Sequence, residues 1–191
     1  MALLLGYDVG SSSIKATLMD AGTGKVLAAA TSPDKELEII AKQLGWAEQR
    51  PATWWEHVKA ATQKIKAQAK FDAGDVKAIG ISYQMHGLVV VDKNKEVLRP
   101  SIIWCDSRAV QIGQQAAKDI GEKKCLKRLF NLPGNFTASK LKWVKENEPD
   151  VYAKIHKIML PGDYIAMKMT GQIKTTPSGL SEGIMWDFEA D

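Results

Sequence analysis

The pattern of apolar and polar positions near the start of the chain predicts three consecutive strands. Apolar runs cover residues 3–7, 14–19 and 25–30, and turns that contain glycine separate them. Two apolar runs joined by a short turn with glycine are the signature of a β-hairpin. The first part of the chain therefore predicts a meander of three strands.

A helix and then a fourth strand follow the meander. The helix begins at Ala52 or Thr53 and runs to about Lys70, with Pro51 close to the first helical position, where its missing N–H costs little. Its apolar side chains at helical spacing are Trp54, Trp55, Val58, Ala61 and Ile65. We interpret the tryptophan pair as core packing, with ligand contact as the alternative. Residues 76–82 then form a short apolar run that is typical of a buried strand.

The second half of the chain continues the alternation of short strands and helices. Extended stretches are predicted at residues 88–91, 97–104 and 158–160. Helices are predicted after Arg108, from Thr137 or Ser139, and after Pro161 as far as Gly171. Two further stretches are read as a short basic segment and a polar loop, at residues 123–130 and 174–183. Strands that alternate with helices indicate an α/β fold.

Composition changes this picture little, but it excludes several function classes. The 191 residues suffice for one substantial domain or two small ones, and 45% hydrophobic with 25% charged residues is ordinary for a soluble globular protein. The net charge of +4 comes from basic residues scattered among acids, which does not suggest nucleic-acid binding. No apolar run approaches the roughly 18 residues of a membrane span, and the first run lacks the basic flank of a signal peptide. Cys105 and Cys125 have neither metal-site nor disulfide spacing, which favours a reducing, cytoplasmic setting.

Candidate chemistry is concentrated at the first hairpin turn. Asp8 follows the first apolar run, where it can hold hydrated Mg²⁺, an ion that prefers one or two carboxylates plus phosphate oxygens. Gly10 lets a ligand approach the backbone, and the serines after it offer hydroxyls and N–H groups that can form an anion-binding nest. The residues that carry this chemistry are Asp8, Gly10, Ser11, Ser12, Ser13 and Lys15. An ordinary polar hairpin that contains an acid is the alternative.

Residues 8–15, which read Asp-Val-Gly-Ser-Ser-Ser-Ile-Lys, resemble the first phosphate motif of the actin-like ATPases. They are most similar to the version in the FGGY family of carbohydrate kinases, whose members usually have Thr at the position of Ser11. The resemblance implies a ribonuclease-H-like (actin-like ATPase) α/β domain with a mixed five-stranded sheet flanked by helices. It also implies ATP and Mg²⁺ as cofactors, Asp8 as the catalytic residue that holds the metal, and Lys15 with the serine turn as the phosphate-binding residues.

A second group of candidate residues follows the strand at residues 76–82. Gln84, Met85 and His86 lie at the carboxyl end of that strand, where α/β sheets usually bind ligands. A histidine followed by Gly87 offers ring donors and an approachable backbone, although a purely structural histidine is the alternative. Within the FGGY family this loop is similar to that of the xylulose kinases, which implies that these three residues bind the sugar.

Trp104 is a further candidate. It lies in residues 102–108, which resemble the Ile-x-Trp-x-Asp-x-Arg stretch of the family, and this implies a position near the sugar; a core position is the alternative. Other stretches similar to the family extend the resemblance over the whole chain: residues 45–48, 54–55, 136–140, 142–144 and 161–164. The tail departs from the family, because Thr175-Thr176 and Ser178-Gly179 stand where many relatives carry an acid, and we assign the tail no catalytic role.

The resemblance implies that residues 1–191 are an incomplete N-terminal sugar-binding domain. The catalytic base, an Asp, and a second ATP-binding domain are expected beyond Asp191. The leading interpretation is the sugar-binding domain of a xylulose kinase, and the alternatives are a kinase for another ketose, a pentitol or glycerol, a non-catalytic sugar sensor with the actin fold, or an assembly ATPase. Expected partners are a sugar and ATP, without nucleic acid or membrane, and a homodimer is left open.

Overall fold

The computed structural model describes residues 2–190, which fall into two compact units. The first unit combines the residues up to Glu38 with Ala52–Gln84, and the second combines Ile39–Pro51 with the residues from Met85 onward. Each unit has its own strands and its own buried side chains. The expectation that residues 1–191 form one incomplete domain stays a prediction.

Strands and helices alternate along the described residues, so the α/β class is confirmed. The strands are β1 (Leu3–Val9), β2 (Ile14–Asp20), β3 (Val26–Ser32), β4 (Glu48–Gln49), β5 (Val76–Tyr83), β6 (Val89–Val91), β7 (Ser101–Ile102) and β8 (Lys157–Met159). The helices are α1 (Pro51–Gln68), α2 (Val110–Ile120), α3 (Glu122–Leu129), α4 (Thr137–Asn147), α5 (Pro149–Tyr152), α6 (Pro161–Thr170) and α7 (Pro177–Glu182).

A four-stranded mixed sheet in the order β3-β2-β1-β5 forms the frame of the first unit. The strands β1, β2 and β3 are antiparallel, which confirms the predicted meander, and β5 pairs with β1 in parallel. Asp8 of β1 lies opposite Lys15 of β2 and beside Ser82 of β5. The sheet therefore places the predicted metal ligand between two strands that both carry polar residues.

Helix α1 supplies the buried stripe that complements one face of this sheet. Along β1, buried residues alternate with half-buried ones, as expected when one face of a strand is covered. The buried residues of α1 recur at helical spacing and include Trp54, which is fully buried, so the predicted core role of Trp54 is confirmed. The hydroxyls of Tyr7 and Thr62 lie 2.6 Å apart and join the sheet to the helix. Burial raises the pKa of the Tyr7 hydroxyl.

The opposite face of the same sheet is less covered. It carries a shallow, mostly apolar hollow of about 390 Å³. The residues that line the hollow are Leu4, Leu5, Gly6, Thr17, Met19, Ala78, Ile79 and Gly80. Ile79 is 49% exposed, and within residues 2–190 the outer edge of β5 has no strand partner.

The second unit is built from two small antiparallel sheets and six of the helices. One sheet pairs β4 with β7, and the other pairs β6 with β8. A fully buried cluster of Leu88, Val90, Ile102 and Val144 joins β6, β7 and α4. Full burial of an aliphatic side chain of this size contributes about 1.5–3 kcal/mol, so this cluster is a main source of stability for the unit.

The number of strands in the main sheet differs from the expected five, because residues 2–190 provide four. The predicted strand at residues 88–91 does form, as β6, but it pairs with β8 and does not join the main sheet. The reason is that all three β6 residues are buried, within the core of the second unit. The predicted extended stretch at residues 97–104 is regular only at Ser101–Ile102.

Two helices were absent from the prediction. The basic segment at residues 123–130 lies largely in α3, in which Cys125 is the buried residue, so no apolar stripe revealed the helix. The polar tail contains α7, which begins at Pro177, and the Thr176 hydroxyl accepts a hydrogen bond from the Gly179 N–H. The predicted end of α6 is confirmed, because Gly171 adopts the left-handed conformation that stops helices.

None of the helices within residues 2–190 combines the length and apolarity needed to cross a bilayer. Cys105 and Cys125 are both free thiols.

Candidate functional site

The predicted phosphate-binding turn is a tight bend at the surface of the first unit. The Gly10 N–H donates to the Ser13 carbonyl oxygen (3.1 Å), and the Leu37 N–H donates to the Ser12 carbonyl oxygen (2.8 Å). A Cβ atom on Gly10 would lie 3.0 Å from the Ser13 oxygen, so the bend favours glycine. Ser12 is exposed, while Ser11 and Ser13 are half-buried, which leaves the turn accessible from solvent.

The structure brings Asp8 and Lys15 together beside this turn. The Lys15 Nζ donates to Asp8 Oδ2 at 3.2 Å, and the two side chains are 62% and 47% exposed. An ion pair this exposed contributes only about 0.2–1 kcal/mol, so either partner can turn to a charged ligand at little cost. The pairing places the ammonium group of Lys15 beside the predicted metal ligand, and the predicted role of Lys15 near a phosphate stays a prediction.

The surroundings of Asp8 fit one mode of magnesium binding. Within residues 2–190, no group of three or more His, Cys, Asp or Glu side chains is placed to hold a metal ion. Mg²⁺ is usually held by one or two carboxylates, with waters and substrate phosphates completing the shell, and it rarely uses an all-protein cage. A single half-exposed carboxylate beside a serine turn suits that mode.

The four predicted sugar-binding residues are divided between the units at the Gln84–Met85 junction. Gln84 is 8% exposed in the first unit, where its N–H donates to the Val9 carbonyl oxygen (2.9 Å). Met85 and Trp104 of the second unit are 55% and 50% exposed, so the core position considered for Trp104 is wrong. A half-exposed Met and Trp can each pack against the carbon skeleton of a ligand.

His86 is held in an unusual backbone conformation by charged neighbours. Its φ is 61°, a left-handed value that is uncommon for residues other than glycine. The His86 N–H donates to the Glu182 carboxylate, and Glu182 Oε1 lies 2.6 Å from the ring Nδ1. The Lys140 Nζ donates to the His86 carbonyl oxygen at 2.6 Å. The Phe136 ring packs edge-on against the imidazole at 4.1 Å between centroids.

Gly87 completes this loop because nothing larger fits there. A Cβ atom at this position would lie 2.6 Å from Pro161 Cγ, at the first turn of α6. The Gly87 carbonyl oxygen accepts a hydrogen bond from the buried Thr137 hydroxyl (3.3 Å). The His-Gly pair of the sequence is therefore a loop clamped between α4 and α6.

Lys140 is fully buried beneath this loop. Burial lowers the pKa of its ammonium group to about 8, against the opposing effect of the Asp106 and Glu182 carboxylates. Glu182, the partner of His86, belongs to the polar tail, for which the sequence predicted no catalytic role. The Thr176-Pro177 start of α7, followed by an acid at the end of the helix, is the signal that could have drawn attention to it.

The stretch around Trp104 is held by a buried network of ion pairs. The Arg108 guanidinium donates to both Asp106 carboxylate oxygens, with the shortest contact at 2.6 Å, and its Nη1 lies 2.8 Å from Glu48 Oε1. The same group lies 3.8 Å from the centre of the Trp46 ring and 4.7 Å from that of Trp143. The two indole rings are nearly perpendicular, at 84°, and a guanidinium this close to both of them makes favourable cation–π contacts.

Arg99 extends this network on the other side of Glu48. It contacts the Glu48 carboxylate through Nη2, and its Nε lies 2.7 Å from Glu148 Oε2. The Asp106 carboxylate also accepts from the Ala47 N–H at 2.6 Å. Two of the stretches that resemble the family, residues 45–48 and 102–108, therefore form one scaffold, which fixes the loop that presents Trp104.

Comparison with known proteins identifies the family. The N-terminal domain of the FGGY family of carbohydrate kinases matches residues 3–190. The xylulose kinase of Escherichia coli is 35% identical over 184 residues, which cover 96% of this chain. A crystal structure described as a "xyloylose kinase" from Brucella ovis superimposes with a TM-score of 0.86 at 33% identity over 95% of this chain. The glycerol kinase of Plasmodium falciparum, crystallised with ADP, has the same fold, with a TM-score of 0.83 at 19% identity over 98% of this chain.

The chain covers only part of the length of each of these relatives. The chain spans 36% of the length of the E. coli relative, 37% of the Brucella protein and 38% of the Plasmodium protein. The ribonuclease-H-like, actin-like α/β fold that the sequence implied is confirmed by these structures. The chain belongs to the FGGY family of carbohydrate kinases.

Proposed function

We propose that this chain is the sugar-binding part of an ATP-dependent kinase that converts D-xylulose to xylulose 5-phosphate. The observation that carries the proposal is the Asp8–Lys15 pair, exposed beside a serine turn in a chain of the FGGY family. A carboxylate, an ammonium group and accessible hydroxyls in that arrangement suit a metal-bound triphosphate. The similarity to the E. coli xylulose kinase supports xylulose as the acceptor.

The proposed roles follow from exposure and charge. Asp8 would hold Mg²⁺, which would supply positive charge to stabilise the negative charge on the transferred phosphoryl group. Lys15 and the turn at residues 10–13 orient the phosphates of ATP through charge and N–H or hydroxyl donors. His86 hydrogen-bonds to the sugar, Met85 and Trp104 pack against its carbon atoms, and Gln84 shapes the end of β5.

Two parts of the machinery are proposed to lie outside these residues. Because the E. coli relative is much longer, we place the general base and the second, ATP-binding domain in the rest of the natural protein. Transfer to a hydroxyl needs a base that accepts its proton. We also infer a cytoplasmic setting, which the two free thiols support.

A kinase for another polyol is the second candidate. The observation that favours it is the structural similarity to a glycerol kinase, in which the same fold serves a different acceptor. The test is a coupled assay of ATP consumption by the natural full-length protein over D-xylulose, D-ribulose, xylitol and glycerol. We expect the largest kcat/KM for D-xylulose. A larger value for another sugar would replace the substrate, and sugar binding without turnover of any sugar would favour a sensor.

Replacement of the acid tests the proposed chemistry. We expect Asp8→Ala in the full-length protein to lower kcat by a factor of ~100 or more, because an electrostatic stabiliser of the transferred group is lost. The dissociation constant for the sugar, measured calorimetrically, should stay within about twofold.

Asp34→Ala is a matched control for this substitution. Asp34 is an exposed acid of the same unit and pairs with Lys64 at 2.7 Å, but it lies outside the serine turn. We expect this variant to keep normal turnover. Normal turnover of Asp8→Ala as well would remove Asp8 from the mechanism.

A further inference from the structure

The contact between Glu182 and His86 is more specific than a surface ion pair. A single carboxylate oxygen of Glu182 contacts both the backbone N–H and the ring Nδ1 of His86. The two residues are 96 positions apart in the sequence. Both side chains are only 22% exposed. The second oxygen, Oε2, is buried and has no hydrogen-bond partner within residues 2–190.

Short helix α7 delivers Glu182 to this position. Gly179 of α7 fits closely against Leu160, where a Cβ atom would come within 3.3 Å of the Leu160 side chain. At the end of the helix, the Gly183 carbonyl oxygen accepts a hydrogen bond from the Ala138 N–H in the first turn of α4 (3.1 Å). Docking at both ends fixes the carboxylate of Glu182 relative to the loop that carries His86.

The contact determines which ring nitrogen of His86 carries the proton. In a neutral histidine one ring nitrogen carries the proton and the other is an acceptor. A carboxylate oxygen 2.6 Å from Nδ1 attracts an N–H and repels a lone pair, so its charge favours the tautomer with the proton on Nδ1. The remaining nitrogen, Nε2, then presents a lone pair.

We infer that Glu182 is a positioning residue that makes His86 Nε2 a hydrogen-bond acceptor for one hydroxyl of the sugar. The inference rests on the proposed function for its ligand, a polyhydroxylated sugar. Lys140 completes the arrangement, because its hydrogen bond to the His86 carbonyl oxygen holds the same residue from the other side. A sugar in which that hydroxyl is replaced by fluorine, which cannot donate, would be rejected.

Two substitutions of similar size separate acceptor chemistry from packing. In the full-length protein, we expect Glu182→Met to raise the KM for D-xylulose about tenfold, with kcat and the KM for ATP nearly unchanged. Glu182→Gln keeps an acceptor oxygen, so its KM for D-xylulose should stay close to that of the wild type. Glu146→Gln is the control, because Glu146 is an exposed acid of the same unit that pairs with Lys142. If Glu182→Met had the same KM for D-xylulose as Glu182→Gln, Glu182 would have only a packing role.

A double-mutant cycle tests whether Glu182 acts through the histidine. We expect His86→Ala to raise the KM for sugar with little change for ATP, and Glu182→Met to add nothing further in the His86→Ala background. Effects that multiply, or an equal effect on the KM for ATP, would overturn the inference.

A spectroscopic measurement decides the tautomer without any sugar. In protein labelled with ¹⁵N-histidine, the ring signals of His86, assigned by their loss in His86→Ala, should show a protonated Nδ1 in the wild type and a shift towards protonated Nε2 in Glu182→Met. Protonated Nε2 in the wild type would overturn the inference. If the wild type phosphorylates no sugar, the proposed function fails, while this result still stands for or against the role of Glu182.

Discussion

Lys140 is a charged residue in the interior of the protein. It is fully buried, yet it carries an ammonium group that holds the His86 carbonyl oxygen. Burial lowers its pKa from 10.5 to about 8, because the protein interior disfavours the charged form. An unfolded chain would keep the proton up to about pH 10.

The sign of the pH effect on stability follows from these values. Between about pH 8 and 10.5 the unfolded chain binds a proton that the folded chain has lost, so the free energy of unfolding rises with pH across this window. The full penalty is present below pH 8, and its relief is on the order of 3 kcal/mol. Lys140→Met should lack this rise.

Thermal midpoints measured from pH 7 to 10 for the wild type and Lys140→Met check this prediction, and the ¹³C shift of the Lys140 ε-carbon reports its titration directly. Lys142→Met, which replaces an exposed lysine of the same helix, should follow the wild-type pH dependence. Parallel curves for the wild type and Lys140→Met would contradict the lowered pKa.

Contacts between residues that are close along the chain were predictable from the sequence, whereas contacts between residues far apart in the sequence were not. Asp8 and Lys15 are close along the chain and face each other across a hairpin, so their pairing follows from the pattern of the strands. Glu182 meets His86 across 96 residues, and no periodicity or motif links the two positions. The roles of Gln84, Met85 and Trp104 in sugar binding stay predictions.

At the scale of the elements, the buried ion pairs join short segments that have little hydrophobic surface of their own. Strands β4 and β7 are two residues each, and Glu48 in β4 is 2% exposed between Arg99 and Arg108. The Glu48 carboxylate shares its charge between the two guanidinium groups, each of which also pairs with a second carboxylate, Glu148 for Arg99 and Asp106 for Arg108. Its removal would leave two buried cations with reduced compensation.

We therefore expect Glu48→Ala to lower the free energy of unfolding by about 3–5 kcal/mol. Denaturant titration of the purified variant, followed by tryptophan fluorescence, measures this loss, since Trp46 lies against Arg108 of the network. Glu56→Ala, which replaces an exposed acid in α1, should change stability by no more than about 0.5 kcal/mol. Similar stability of the two variants would mean that the network contributes nothing.

The helices and the strand pairing that were missed from the sequence were missed for physical reasons. Helix α3 has little buried surface and helix α7 has only six residues, so neither shows a long apolar period. Strand β6 was predicted as an element, but its partner β8 lies more than 60 residues further along the chain, and pairing at that distance is decided by the core. The longer elements, β1 to β3 and α1, were predictable because their periodicity is long and regular.

At the scale of the whole molecule, the chain corresponds to 36% of the E. coli relative. Phosphoryl transfer requires the acceptor, the nucleotide and a base in one place, and we propose that the last two need the remainder of the natural protein.

We therefore expect residues 1–191, produced alone, to give no measurable ATP-dependent phosphorylation of D-xylulose in a coupled assay. The natural full-length protein, assayed at equal molar concentration, is the positive control. Turnover by the short chain would mean that it contains its own base and nucleotide site.

The open side of the first sheet has a practical consequence. Strand β5 is an edge strand of this sheet within residues 2–190, and apolar side chains such as Ile79 and Met19 line the hollow on the sheet face. Such an edge can recruit extended segments from neighbouring molecules. The isolated chain is therefore expected to aggregate at high concentration, and Ile79→Lys is the first substitution to test against aggregation.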